Sequence, residues 1–130
     1  MRNVGRGVLN GVVLAAALVL SVAADANTSN KWRVQVSGGA NADGEIVVSL
    51  LKVGGVIADV NVKVAKGTSE NDIAKRIRDE LKLALSAEQY KVEVDDGEDV
   101  LIKKRAKVED FEVKIASNSV GGVRISVDRE

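Results

Sequence analysis

The 130-residue chain predicts an α+β fold: a single helix packed on a mainly antiparallel sheet, in the order β-β-β-α-β-β-β-β, with room for a sandwich-like arrangement. Three observations lead there. From Asn27 onward apolar residues recur mostly at every second position, the period of a strand with one buried face. One stretch, "NDIAKRIRDELKLAL", breaks that rhythm with apolar residues three and four apart. The apolar runs end in clusters of Gly, Asp, Asn and Ser, which is turn chemistry.

Composition narrows the function. The length suits one domain with a modest core. Lys+Arg and Asp+Glu both number 19, so net charge supplies no long-range attraction to nucleic acid or an anionic membrane. Without Cys or His the chain has no disulfide, no thiol nucleophile, no imidazole base and no zinc site of the usual ligands. Trp32, Tyr90 and Phe111 are the only aromatics, too few for a base-stacking platform. The expectation is a domain with no cofactor, no enzymatic activity and no nucleic-acid partner.

Residues 1–26 carry Arg2 and Arg6, an apolar core from Val12 to Leu20, and small residues ending in Ala24-Asp25-Ala26. That is the layout of a secretory signal peptide, with cleavage expected after Ala26 or one step upstream at Ser21-Val22-Ala23. A retained membrane anchor is the alternative, since no charge falls between Arg6 and Asp25. The remaining residues, 27–130, form a single exported domain, secreted or periplasmic.

The elements follow in order. Lys31 to Ser37 reads as a strand with Trp32, Val34 and Val36 on one face, and "GGANADG" as a loop. Glu45 to Val53 and Val56 to Val64 form a hairpin closed at Gly54-Gly55. A two-residue turn sets Val47 and Leu51 beside Val62 and Ala58; a three-residue turn sets Ile46, Val48 and Leu50 beside Val62, Val60 and Ala58. Either register leaves "IVVSLL" apolar on its second face, so that strand should be covered on both sides. Gly67 ends the next strand, Ser69 caps the helix N-terminus, and Asp72 can complete a capping-box-like exchange. Ile73, Ala74, Ile77, Leu81, Ala84 and Leu85 make the buried stripe. In "YKVEVDDGEDVLIKK" a loop of Asp95-Asp96-Gly97, with Gly97 left-handed, pairs Val92 with Val100 and Tyr90 with Ile102. Phe111, Val113 and Ile115, then Val123, Ile125 and Val127, make a last hairpin around "SNSVGG".

Three features are candidate sites. The acidic turn containing Asp95, Asp96, Glu98 and Asp99 offers hard oxygen ligands of the kind calcium takes, although its spacing is not that of a twelve-residue calcium loop, and a solvated turn needs the same residues. The run Lys103 to Lys107 is offset by Glu109 and Asp110. Ile46, Val48 and Leu50, or alternatively Val47 and Leu51, belong to the doubly apolar strand and lie either at a protein contact or inside the monomer.

The signature "VNVKVAKGTSENDIAKRI", followed by "YKVEVDDGEDVLIK", resembles the small β-β-α-β-β modules of bacterial flagellar filament proteins known as the flagellin IN motif, and is similar to insertion domains of phage tail sheath and tube proteins. "LKLALSAEQ" stands where that family's Ile-Asn pair falls. The resemblance implies a structural or surface-display module with no catalytic residues. Together with the residue reading it gives the expectation of an exported structural or protein-interaction domain whose partner is itself or another envelope or extracellular protein, with a membrane involved only if the leader is retained. The rival expectation is a small binding protein for a glycan, lipid or cation.

Overall fold

The computed structural model describes residues 27–130, so the predicted leader lies outside the described residues. Seven strands and one helix follow in the predicted order: β1 (Lys31–Ser37), β2 (Gly44–Lys52), β3 (Gly55–Val64), α1 (Glu70–Ala84), β4 (Tyr90–Asp95), β5 (Asp99–Lys104), β6 (Glu112–Asn118) and β7 (Arg124–Arg129). They build two antiparallel sheets, β4-β5-β1-β7 and β3-β2-β6. The helix packs against β3, β4, β1 and β5, while β6 approaches β7 on the other flank. The core therefore lies between two sheets and under one helix, and no helix among the described residues is long and apolar enough to cross a membrane.

The inner faces carry the residues that period two selects. Trp32, Val34 and Val36 of β1, Ile46, Val48 and Leu50 of β2, and Val60, Val62 and Val64 of β3 are all buried. The β2–β3 register is the one expected of a three-residue turn, with Ile46, Val48 and Leu50 opposite Val62, Val60 and Ala58. It arises differently: Lys52 pairs with Gly55 across a tight turn at Val53 and Gly54, and a bulge after Leu50 restores the phase. Gly54 takes φ 89° whereas Gly55 starts β3, so the turn sits one residue earlier than Gly54-Gly55.

The second hairpin is corrected too. Its loop is Asp96-Gly97-Glu98, closed by Asp95 opposite Asp99, because Asp96 (φ 53°) and Gly97 (φ 80°) both accept the left-handed conformation. Val92 therefore faces Ile102 and Val94 faces Val100. The slip is two residues, so the apolar rows keep their shared face. The last expected hairpin is not one: β6 pairs with β2 and β7 with β1, and the loop between them carries the chain from one sheet to the other. Gly38 permits that crossing, since a Cβ there would stand 2.3 Å from the Gly122 carbonyl oxygen.

Ser69 caps α1, its Oγ accepting the Asp72 N–H at 3.2 Å, an arrangement worth about 1 kcal/mol. The Asp72 carboxylate lies 3.9 Å from Lys75 Nζ. Ile73, Ala74, Ile77, Leu81 and Leu85 are buried as expected; Ala84 is exposed, because the helix ends there and the chain turns away.

Phe111, fully buried, joins the two sheets. Its carbonyl accepts the Trp32 indole N–H at 2.7 Å, its backbone pairs with Ser29, and its ring meets Tyr90 edge-on at 5.4 Å.

Candidate functional site

The outer face of the first sheet sorts its charge into rows. Register places Lys91, Lys103 and Lys31 side by side across β4, β5 and β1, and sets Asp95, Asp99 and Gln35 side by side further along the same strands. Like charges directly opposite one another oppose pairing, so the lysine row is a local cost the sheet carries.

Between the rows, the Arg33 guanidinium gathers three carboxylates. Nη1 meets Asp99 at 2.5 Å and Asp95 at 3.2 Å, while Nε and Nη2 hold Glu130 at 2.9 and 3.1 Å in a forked pair. Hydrogen bonds to Glu130 and then Asp99 hold the Arg33 guanidinium more firmly protonated than usual, against the opposing effect of burial. The same contact with Arg33 draws the Glu130 carboxyl below its ordinary value of 4.5. A carboxylate with a lowered folded value stabilises the fold above its unfolded value and ceases to as pH falls through the folded one. Glu130→Gln should therefore flatten the decline of the melting temperature with acidification below about pH 4.5, without altering it near pH 7. Matched declines in the two proteins would discard this assignment.

The acidic turn thus faces a guanidinium rather than forming a ring of free ligands. Asp96 is exposed, Glu98 is half-buried, and among the described residues no group of three carboxylates converges in a way that could hold a metal ion. Two buried oxygens, Asp99 Oδ1 and Glu112 Oε1, have no hydrogen-bond partner among the described residues. The basic run Lys103 to Lys107 is divided: Lys103 belongs to the lysine row, Lys104 reaches the Val108 carbonyl and Asp110, Arg105 donates Nε to the Ala87 carbonyl, and Lys107 sits at φ 74° in the loop.

On the second sheet, Ile46, Val48 and Leu50 have no exposed surface and pack inside the monomer, so a contact built on these three is replaced by the interior alternative. Val47 and Leu51 point the other way and are half-buried, so β2's second face lacks the full cover its sequence suggested. Leu51 pairs with Val56 of β3 and with Glu112 of β6, and Val53 stands in the adjoining turn. Below this turn a groove of about 430 Å³ is lined by Val56, Ile57, Tyr90, Val108 and the charged Lys52, Lys107 and Glu109. Burial and the neighbouring Glu109 raise the Tyr90 phenol above its ordinary value.

The outer edge of β3 is partly open. Arg76 Nε donates to the Lys63 carbonyl at 3.0 Å, so the Lys63 backbone faces away from β2, and the alternation of an antiparallel ladder turns Asn61 and Asp59 the same way.

Of the residues singled out from sequence, Asp95 and Asp99 come together, and Leu51 is joined by Val53 and Val56. Arg33 and Glu130, 97 positions apart, were missed. The only available signal was Arg33's place on the polar face of β1, between Lys31 and Gln35. In comparison with known protein families and with curated proteins, nothing matches this chain.

Proposed function

We propose that this chain is an exported, non-enzymatic structural or protein-interaction domain that works by self-association, through the outer face of the β3-β2-β6 sheet beside the β2–β3 turn. The observation that carries the reading is the exposure of Val53 (56%) and Val56 (52%) next to Leu51, which gathers apolar surface at one rim. The open backbone groups of β3 at Asp59 and Asn61 adjoin that rim and suit strand-to-strand contact between copies. Export rests on the leader-like residues 1–26, and the non-enzymatic character on a sequence without Cys or His. The resemblance to the flagellin IN motif points in the same direction.

Light scattering across concentration on protein purified from an exporting host tests it. The expected result is an oligomer that grows with concentration, and a Val56→Lys variant of unchanged circular dichroism that stays monomeric. A strictly monomeric wild-type protein overturns the reading.

A further inference from the structure

The β2–β3 turn and the groove below it lie side by side, one projecting and one hollow. The groove, about 430 Å³, takes its apolar lining from the exposed Val56 and the half-buried Ile57 and Val108, with Lys52 and Glu109 among its exposed charged members. Its far wall, the segment from Arg105 to Asp110, is braced in advance. Lys104 Nζ donates to the Val108 carbonyl at 2.7 Å and lies 3.3 Å from Asp110, and Arg105 Nε donates to the Ala87 carbonyl at 2.8 Å. A wall held in this way has little freedom left to lose on binding.

The turn is slim at its tip. Val53 is exposed, Gly54 and Gly55 follow it, and a Cβ added to either glycine would meet nothing within 4 Å. Gly54 takes φ 89°, a conformation that favours glycine. Gly55 has no such need: its φ is not positive, it pairs with Lys52 as the first residue of β3, and the bulge of this hairpin falls two residues on at the unpaired Ile57. Nothing inside the monomer calls for a glycine there. A strand glycine without a local reason marks a place where another surface approaches closely.

Building on self-association through this rim, we infer that two copies dock about a two-fold axis, the Val53-Gly54-Gly55 tip of each entering the groove of the other. Because tip and groove are neighbours on one surface, a single two-fold contact fills both grooves at once. It covers the exposed Val53 and Val56, and it brings Lys52, at the base of each tip, towards Glu109 in the wall of the other copy's groove. Opposite charges meeting twice fix the orientation of the pair.

Sedimentation equilibrium of the exported protein and three variants tests the inference. Gly55→Gln should keep its circular dichroism and melting curve, because its side chain has open space in the monomer, yet associate about tenfold more weakly, because the same side chain overfills the contact. Lys52→Glu and Glu109→Lys should each associate roughly fivefold more weakly alone, since like charges then meet across the axis. An equal mixture of the two should recover the wild-type affinity, every altered charge finding its opposite on the other copy. If the wild type associates and Gly55→Gln does so equally tightly, or if the mixture is no tighter than its components, this docking is overturned while self-association stands; a wild type that stays monomeric overturns both.

Discussion

Val48→Lys will leave the domain without a cooperative fold at neutral pH. Val48 has no exposed surface, lies between Ile46 and Leu50 on the inner face of the central strand β2, and is flanked by Val60 on β3 and Ile115 on β6. An ammonium group there meets only apolar neighbours, and the cost of removing it from water is several kcal/mol even after relaxation. The group can avoid part of that cost by losing its proton, but it still overfills a packed site. A loss above about 5 kcal/mol removes most of what a domain of this size has. Val47→Lys is the control. One residue along, the side chain points to the other face, where the same ammonium can reach water, and the fold should survive with a change near or below about 1 kcal/mol. Circular dichroism and urea unfolding of the pair decide it. A folded Val48→Lys protein that no longer associates would place the inner face of β2 at an interface between copies.

Phe111→Ala should cost about 3–5 kcal/mol, visible as a fall in melting temperature of roughly 15–30 °C. The ring is fully buried and leans edge-on against Tyr90, itself buried in the core. Deleting it opens a cavity where the first sheet meets the segment leading into β6, and nearby side chains cannot close a gap of that size without leaving their rotamers. Trp32 reports on the change directly, because its indole N–H is bonded to the Phe111 carbonyl and it is the only tryptophan. Phe111→Leu, which keeps most of the volume, should cost markedly less. A Phe111→Ala loss below about 1 kcal/mol would show that the Phe111 ring does not hold the two sheets together.

The same two residues show where sequence reasoning succeeds and where it stops. Phe111 falls on an alternating strand, where a period of two is a property of the chain alone and fixes which neighbours share a face, whereas Val48 lies in a strand apolar on both faces, whose buried side the sequence leaves open. Helix α1 was legible for the same kind of reason: Ser69 and Asp72 meet three residues apart, and the stripe from Ile73 to Leu85 needs only the helical repeat. Turn details were harder. Asp96 can occupy the left-handed region that Gly97 also takes, so a loop written Asp-Asp-Gly has more than one place to close, and a bulge after Leu50 can imitate the register of a longer turn.

The chain by itself determined the order of the elements, the buried faces of β1 and of helix α1, the helix cap and the function classes that a lack of Cys and His removes. Each depends on residues a few positions apart or on composition. Only the tertiary structure decided that β6 and β7 enter different sheets, that Ile46, Val48 and Leu50 are interior, and that Arg33 holds Asp95, Asp99 and Glu130. Those partnerships join residues far apart in the chain. Local periodicity states which way a side chain points and leaves open which strand it will meet, because strand pairing is selected by burial and packing summed over the whole core.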